Sequence, residues 1–540
     1  MSGSYGDFSL ISPTVCHNRE SVMQPFSIAR LCCEVNMFSK HHPKSSIVSN
    51  SVVSRCLPVL VSMNVFLLGA HAFAAKPGTL HETPADPVVA ISEQHTPSSQ
   101  ELVIPFESYK LKNGMTVILH EDHRNPFVAV SVWYHVGAYH EAPGKTGFAH
   151  LFEHLMFQGT PNVGDDNHIA YLEQAGASIR DGMVNGTTNQ DRTNYFEVVP
   201  QHELELALWL ESDRMGFLMD GMTQEKLDEQ RAVVQNERYQ GVENAPYGLA
   251  EERLWKSIFP STHPYYGMVI GSIDDLNAAR LTDVGEFFTR YYAPSNATLT
   301  IAGDFSSSQA KDWVNRYFGS LPSTEKPARK KVEPPSLEDE VRIEVQESLG
   351  KLPYVQLKYF TPPLFTQEDA AFDILSSVLA GGKSARLTKQ LVEEKQIAQS
   401  VQVYQQSMAN VSVFSIDVML RENEDPAAAI ALIDETIAHL AEHPPNEEEV
   451  ERARNVLETQ RLYGLQKIGG FSGKAEQLQT YNHYVGDPNY LAKDFARYTN
   501  VTTASISDAV RDYLVPKRRG VLIALPVVDA PPPAAQEVSK

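Results

Sequence analysis

The clearest periodic stretch of the chain runs from Gly147 to Gly159, where apolar residues return at intervals of three and four. One side of a helix drawn through it holds Phe148, Leu151, Phe152, Leu155 and Met156, and the other side holds His150, Glu153, His154 and Phe157. A spacing near 3.6 residues is typical of an amphipathic α-helix. The pattern therefore predicts a helix with one packing face and one polar face.

Strands are predicted on either side of this helix. Residues 109–119 form a hairpin pattern with an Asn113-Gly114 turn, and residues 127–136 alternate as a strand that leads into the helix. We expect residues 177–184 to open another strand, which 186–199 continue into a hairpin. The other elements predicted in this half are helices at 167–175, 200–219 and 223–240, the last capped by Thr223, and a core strand that ends at Gly303-Asp304.

A stretch without periodicity separates this half from a second one. Residues 320–340 are rich in Pro, Lys and Glu, which predicts a linker at a domain boundary. The pattern of strands and helices then restarts, which indicates an internal duplication. The predicted elements are strands at 341–345 and 354–360, helices at 368–379, 426–443 and 446–468, and helical stretches within 491–514.

The first 75 residues differ from the rest. Basic residues precede an apolar run at 57–70, and the small residues at 70–75 offer Ala-x-Ala cleavage sites, as in a secretory signal. We expect cleavage after Ala74 or Ala75 and a periplasmic or secreted protein. A membrane anchor is the alternative, but the run is interrupted by Pro58, Ser62 and Asn64 and is short for a bilayer, so no stable membrane span is expected after cleavage.

Composition narrows the classes of function. The 540-residue chain is 42% hydrophobic, as expected of a globular protein, and its formal charge of -21 argues against nucleic-acid binding. All four cysteines, Cys16, Cys32, Cys33 and Cys56, lie in the predicted leader. The mature chain would therefore lack thiolate ligands, a cysteine nucleophile and disulfides, and His and Glu remain as candidate metal ligands.

The polar face of the 147–159 helix carries the candidate chemistry. His150 and His154, one turn apart, can reach a single metal ion, and Glu153 lies beside it. A lone pair of histidines at this spacing is more often structural. Here the string is His-x-x-Glu-His, the inverzincin arrangement, which favours a zinc site.

The residues around this string extend the pattern. The runs Val132–Glu141 and Gly144–His150 resemble the insulysin and pitrilysin family of zinc peptidases. The similarity is closest to the shorter bacterial members, which are similar to the beta subunit of the mitochondrial processing peptidase. The resemblance implies an α+β fold of two homologous domains, each a mostly antiparallel sheet backed by helices, which form half of a clam-like chamber.

A second motif follows about eighty residues later. Leu227, Gln230, Val234 and Glu237 share one face of the predicted 223–240 helix, whereas Glu229 points to solvent. From pattern alone Glu237 could be a surface residue. The segment Glu229–Arg238 resembles the family's second motif, whose last glutamate is the third zinc ligand, so the resemblance gives this role to Glu237. Gln230 stands where the family often has a supporting glutamate.

Together these features predict the organisation of the chain. Its segments are a leader (1–75), a flexible lead-in (76–100), a catalytic zinc domain (101–319), a linker (320–340), a metal-free homologous domain (341–529) and a disordered tail (530–540). Alignment of Gly381 with Gly159 places Phe372, Leu375 and Ser376 where His150, Glu153 and His154 stand, so the second half would bind no metal.

The resemblance implies a zinc-dependent endopeptidase acting on unfolded peptides. One Zn2+ per chain would be held by His150, His154 and Glu237, with one coordination position open, and Glu153 would act as the general base. A peptide could add to the edge of the 186–199 hairpin, although a plain surface hairpin fits that composition equally well.

One departure from the family pattern bears on partners. Many active relatives carry an Arg and a Tyr in the second half that assist the substrate carbonyl, and here those places hold Val392 and Gln399. Either the assistance to the carbonyl comes from elsewhere, or a second, related chain supplies it. We expect a homodimer or a heterodimer with a related metal-free subunit. The alternative is a catalytically impaired binding or scaffold subunit of a heteromeric peptidase complex.

Overall fold

Two β-sheets, one in each half of the chain, organise the structure. The computed structural model describes residues 102–527 and the short strand Phe8–Ser9. The remaining residues of the predicted leader, the lead-in and the tail lie outside the described residues, so these predictions stay predictions. Among the described residues, no helix combines the length and the apolar character needed to cross a membrane.

The strands of the first sheet lie in the order β1-β5-β6-β4-β7-β3-β2, and those of the second in the order β10-β11-β9-β12-β8. The first sheet comprises β1 (Phe8–Ser9), β2 (Glu107–Lys110), β3 (Thr116–Glu121), β4 (Phe127–Tyr134), β5 (Val184–Thr188), β6 (Thr193–Pro200) and β7 (Ala297–Gly303). The second comprises β8 (Val341–Glu347), β9 (Tyr354–Thr361), β10 (Ala398–Gln406), β11 (Ser412–Leu420) and β12 (Arg519–Pro526).

The two sheets repeat one topology. In each, a single parallel pair, β3 with β7 and β8 with β12, stands within an otherwise antiparallel sheet. The five central strands of the first sheet correspond in order to all five strands of the second. This repeated order confirms the predicted α+β fold with two homologous halves.

Fourteen α-helices accompany the sheets in the described part of the chain. The first half contains α1 (Phe148–Leu155), α2 (Asn167–Gln174), α3 (Leu204–Phe217), α4 (Gln224–Arg238), α5 (Gly248–Ile258), α6 (Ile273–Ala278), α7 (Leu281–Tyr291) and α8 (Ser307–Phe318). The second contains α9 (Gln367–Ala380), α10 (Pro426–Glu442), α11 (Glu447–Gly464), α12 (Lys474–Val485), α13 (Leu491–Thr499) and α14 (Thr503–Tyr513).

Most of the predicted elements occur within a few residues of their expected bounds. The Asn113-Gly114 turn joins β2 to β3, and the Thr223 hydroxyl caps α4 by accepting a hydrogen bond from the Lys226 backbone N–H. The strand expected from residue 177 was wrong at its beginning. A turn at Gly182, whose φ is 68°, delays β5 until Val184.

Each half contributes one helix to the sheet of the other half. Helix α5 packs against β8 and β12, and α12 packs against β4 and β7. The α5 contact is apolar and buries Leu254, Trp255 and Ile258 against the second sheet. The sequence pattern did not predict α12.

The α12 contact on the first sheet combines apolar packing with a set of buried polar groups. Glu476 of α12 accepts hydrogen bonds from Trp133 Nε1 and Asn194 Nδ2, both 2.8 Å long, and one from the Ser131 hydroxyl. Gln479 donates from its Nε2 to the Ser131 carbonyl oxygen at 3.0 Å. Because buried polar groups need partners, these bonds fix α12 on this face of the sheet.

Candidate metal centre

Helix α1 begins at a tight backbone contact. Gly147, with a φ of 86°, precedes the helix, and a Cβ on it would lie 2.8 Å from the Gly271 Cα. The half-buried Glu141 side chain accepts hydrogen bonds from the Gly147 and Ala149 backbone N–H groups at 3.0 and 2.8 Å. These bonds satisfy N–H groups of the first turn of α1, while desolvation raises the pKa of the Glu141 carboxyl to about 8.

Helix α4 packs against α1 and ends beside it. Leu227, Gln230 and Val234 are buried on its inner face, and Glu237 occupies the last turn of the same face with a side chain 27% exposed. Glu229 is exposed, as expected for the outer face. The amphipathic pattern of α4 thus turns Glu237 toward α1.

Arg238 fixes the end of α4. Its guanidinium donates to the Gly271 carbonyl oxygen at 2.6 Å and forms ion pairs of 2.7 Å with Glu243 and with Glu252. Gly271 in turn contacts Gly147 at the beginning of α1. Arg238 therefore connects the residue after Glu237 to the start of the helix that carries the two histidines.

The structure brings His150, His154 and Glu237 together. The Nε2 atoms of the two histidines are 3.3 Å apart, and each lies 3.5 Å from Glu237 Oε2. Within residues 102–527 these three side chains are the one group of at least three His, Cys, Asp or Glu residues close enough to share an ion.

The spacing of these atoms fits tetrahedral zinc. Ligand atoms at about 2.0 to 2.2 Å from a tetrahedral Zn2+ are about 3.3 to 3.6 Å apart, which matches all three separations. Two imidazoles and one carboxylate also form a common ligand set of catalytic zinc sites. Burial and the neighbouring His154 hold the pKa of His150 well below its usual value, which favours the neutral imidazole that binds metals.

Glu153 is buried on α1, between the two histidines, and its carboxylate does not join the three-atom cluster. A Cβ added to Gly186 of β5 would lie 2.9 Å from the Glu153 Cγ and 3.3 Å from its Oε1. Strand β5 therefore approaches Glu153 closely, at a position where a larger residue would displace it.

Two buried tyrosines lie near Glu153. The hydroxyls of Tyr195 and Tyr292 are 3.2 Å apart, and the Tyr195 hydroxyl donates to the Phe152 carbonyl oxygen at 3.4 Å. Burial raises the pKa of both tyrosines, and the negative charge of Glu153 adds to the shift. Both phenols are therefore neutral around Glu153.

The turn of the β5–β6 hairpin is tied to distant parts of the chain. Asp191 accepts hydrogen bonds from the Tyr265 hydroxyl at 2.7 Å, from Arg329 at 2.6 Å and from the Ala409 backbone N–H at 3.0 Å. Arg329 lies between the two halves, and Ala409 belongs to the second half. The hairpin beside Glu153 is thus held by both halves.

Other residues singled out from the sequence lie apart from this cluster. Phe372 and Leu375 are buried in the second core, and Ser376 donates to the Asp373 carbonyl oxygen at 2.7 Å. Val392 packs against the second core, and Gln399 is exposed on β10. His263, which follows α5 in the chain, also lies outside the cluster, with its Nε2 3.0 Å from Asn410 Oδ1.

Sequence reasoning missed the residues that support the cluster. Glu141, Gly186, Tyr195 and Arg238 had no assigned role. Glu141 offered one signal, since it is an acidic residue shortly before a helix that has no acidic residue in its first turn. The partners of the others come from distant segments, which a local pattern does not reveal.

The two halves repeat one topology, and the first half carries a cluster with the ligand types of a zinc peptidase. The family model "Insulinase (Peptidase family M16)" matches residues 116–263, and "Peptidase M16 inactive domain" matches residues 279–457. The zinc protease PqqE of Helicobacter pylori is 30% identical over 321 residues, which cover 58% of this chain and 70% of PqqE. The chain belongs to peptidase family M16, the insulinase and pitrilysin family.

Solved structures share the same fold. A protease from Helicobacter pylori superposes with a TM-score of 0.72 at 24% identity and covers 79% of this chain and 100% of its own. The first half of the periplasmic protease PqqL from Escherichia coli gives a TM-score of 0.61 at 16% identity, and the match covers 81% of this chain and 93% of that one. At these identities the likeness concerns the fold.

Proposed function

We propose that this chain is a zinc-dependent endopeptidase that hydrolyses unfolded peptides. The observation that carries the proposal is the triangle of His150 Nε2, His154 Nε2 and Glu237 Oε2, whose sides of 3.3, 3.5 and 3.5 Å suit one tetrahedral zinc ion. Three protein ligands leave a coordination position open, as catalysis requires. Membership of a family with relatives named zinc proteases supports the same function.

In this proposal Glu153 moves the proton. A zinc ion in the site would supply Lewis acidity, which polarises the peptide carbonyl and lowers the pKa of water from 15.7 to about 7. Glu153 takes the proton of the attacking water and delivers it to the leaving amine. Strand β5 at Gly186 holds the carboxylate in position for this transfer.

The edge of β5 would hold the peptide. In the structure β1 pairs with this edge in antiparallel register, Phe8 with Thr188 and Ser9 with Thr187, so the edge accepts a strand. A peptide in the same place would form main-chain hydrogen bonds beside Glu153. This binding mode selects extended chains, and folded proteins would be excluded.

A second candidate is a binding or scaffold subunit of a heteromeric peptidase. The observation that favours it is the presence of Val392 and Gln399 at the places of the carbonyl-assisting pair, with Gln399 exposed on β10. A related metal-free chain that carries the pair would complete the site. A zinc-binding chain that needs such a partner satisfies both candidates.

The site of action follows from the leader. We infer that the chain is exported to the periplasm or secreted, since residues 40–75 have the pattern of a secretory signal, and the related PqqL half comes from a protease described as periplasmic.

One experiment tests the proposal. The chain from residue 76 is purified, its zinc content is measured, and cleavage of a quenched peptide library is followed with and without a chelator. We expect one zinc per chain and chelator-sensitive cleavage. Stoichiometric zinc with cleavage only after addition of a related metal-free chain supports the heteromeric form. Absence of stoichiometric zinc overturns the peptidase proposal.

A further inference from the structure

We propose that Phe471, on the loop between α11 and α12, forms with Phe196 an apolar subsite for one side chain of the bound peptide. The inference rests on the proposed peptidase function and names a recognition element of the same site. Phe471 is 47% exposed although it is a large aromatic residue, and Phe196 is buried. Their rings meet edge to face, with centroids 5.1 Å apart.

The loop that carries Phe471 is anchored on the first sheet. Gly469 lies on the sheet face, where a Cβ would lie 2.9 Å from Val198 Cγ2. The Ala475 backbone N–H donates to the Ile468 carbonyl oxygen at 2.9 Å, and Ile468 packs on the sheet. The second half thus places this loop on the first sheet, whose strands β5 and β6 also contact α1.

The backbone on either side of Phe471 is unusual. Gly470 has a φ of 74° and Ser472 a φ of 81°, so a residue with a side chain adopts the left-handed region one position after the ring. Such conformations are unfavourable in non-glycine residues and cluster at active sites and ligand sites. The backbone that holds the exposed Phe471 ring in place therefore adopts an unfavourable conformation. A relaxed surface loop would not need this conformation.

The ring lies beside the start of β5. A Cβ on Gly182, two residues before β5, would lie 3.7 Å from the Phe471 ring. Phe196 is paired with Asn185 of β5, and Tyr195 is paired with Gly186. Because side chains alternate across a strand, Phe196 and Asn185 face the α12 side, and Gly186 faces Glu153.

This register assigns the occupant. In a peptide that continues the antiparallel pairing seen at Thr187 and Thr188, the residue opposite Asn185 has its side chain on the same face as Phe196. The neighbouring peptide residue, opposite Gly186, faces Glu153. The peptide residue opposite Asn185 therefore places an aliphatic or aromatic side chain in the subsite. Its neighbour in the peptide, opposite Gly186, faces the proposed general base Glu153.

The test measures preference at each peptide position. The chain from residue 76 and its Phe471→Ala variant are assayed with zinc against a peptide library in which one position at a time carries Leu, Phe, Gly or Ser. Tyr463→Ala is the matched control, since Tyr463 is 63% exposed near the end of α11. We expect Phe471→Ala to lower kcat/KM about five- to twentyfold for Leu or Phe at one position, and less than twofold for Gly or Ser there.

A binding measurement separates this proposal from the proposed function. In a Glu153→Gln background, the fluorescence anisotropy of labelled peptides reports binding without cleavage. If the parent chain does not hydrolyse peptides but Phe471→Ala still weakens binding of the apolar peptide alone, the subsite stands and the peptidase activity fails. Unchanged preferences in Phe471→Ala, equal effects of Phe471→Ala and Tyr463→Ala, or no peptide binding at all would overturn the subsite.

Discussion

Arg238 donates a 2.6 Å hydrogen bond to the carbonyl oxygen of Gly271, and Gly271 touches Gly147 at the start of α1. The guanidinium also pairs with Glu252 at 2.7 Å, in a contact where both side chains are less than 10% exposed. Through these contacts the end of α4 is fixed against the beginning of α1. The distance between Glu237 and the two histidines therefore depends on Arg238, which is not itself a member of the His-His-Glu cluster.

Replacement of Arg238 should loosen the metal site. Arg238→Met keeps much of the side-chain volume but leaves Glu252 and the Gly271 carbonyl without their cation. We expect the zinc affinity to fall about ten- to hundredfold, as for other residues that orient metal ligands. Competition with a zinc-binding dye measures the affinity.

The control for this change is Arg231, which lies about two helical turns earlier on α4. Arg231 donates to the Ala279 carbonyl oxygen at 2.7 Å and pairs with Asp228, away from the cluster. Arg231→Met should leave the zinc affinity within about twofold, since the partner Asp228 is 53% exposed and the pair lies away from the cluster. Equal zinc affinities in the two variants would show that Arg238 does not hold the metal ligands in position.

Glu153→Gln tests the general base. The amide has nearly the same shape as the carboxylate, but it cannot accept a proton at neutral pH. We expect unchanged zinc content and at least a hundredfold or so lower kcat, the usual contribution of general acid–base catalysis. Zinc analysis and hydrolysis of a quenched peptide measure the two, and undiminished turnover would refute the assignment.

Glu237→Gln tests the third ligand. A neutral amide is a poor zinc ligand, so we expect the zinc affinity to fall by more than about a hundredfold. This is a larger loss than is usual for residues that only hydrogen-bond to metal ligands. Glu229→Gln is the matched control, because Glu229 lies on the exposed face of the same helix. If Glu229→Gln loses zinc and Glu237→Gln retains it, the ligand assignment is wrong.

Gly186→Val tests the contact between β5 and Glu153. A Cβ would lie 2.9 Å from the Glu153 Cγ, so the added side chain must push the carboxylate away from the metal centre. We expect kcat to fall at least tenfold or so and zinc content to be retained, because a shift of about 1 Å can cost a hundredfold. Gly285→Ala, whose Cβ meets only Met219 Cε at 3.7 Å, should be neutral. Full activity in Gly186→Val would show that the strand does not position Glu153.

Asp373 should make stability depend on pH. Burial and the nearby Asp369 raise the pKa of Asp373 to about 7, and the Tyr498 hydroxyl donates to its Oδ2 at 2.5 Å. The unfolded carboxyl has a pKa of about 3.9, so the folded chain holds an extra proton between these values. Its contribution to stability is therefore full below about pH 4 and is lost as the pH rises to about 7.

Asp373→Asn isolates this effect. The amide oxygen still accepts from Tyr498, but it does not titrate. We expect the free energy of unfolding of the variant, relative to that of the parent, to increase as the pH rises from about 4 to 7. Denaturant titration of both proteins at each pH, in the presence of a chelator, measures this difference. A difference that stays constant across this range would contradict the raised pKa.

Local periodicity predicted the helix at 147–159 and placed both histidines on its polar face, whereas the fold class came from the family resemblance. Two imidazoles at i and i+4 share a face in any helix, so the proximity of His150 and His154 follows from spacing, and the His-x-x-Glu-His string favoured the zinc interpretation. Glu237 comes from a helix about eighty residues away, and only the family resemblance connected it to them. Arg238 and Gly186 act through contacts between distant segments, which periodicity does not report.

Helix α12 shows why another part of the fold was missed. Its inner face carries Glu476, Gln479 and His483 among the apolar residues Ala475, Leu478 and Tyr481, so the apolar stripe by which buried helices are recognised is interrupted by polar groups. The first sheet offers matching polar groups at Ser131, Trp133 and Thr298, and the pairing becomes evident only when both surfaces are known. Strands β10, β11 and β12 were also not predicted.

The placement of α12 on the first sheet sets the order of events during synthesis. Ser131 and its partner Glu476 are 345 positions apart, so at about 5 to 20 residues per second the ribosome needs about twenty to seventy seconds to deliver the second after the first. Until then the nascent first half exposes the Trp133 indole and the groups that Glu476 will satisfy. The first half therefore completes its own architecture only when translation has nearly finished.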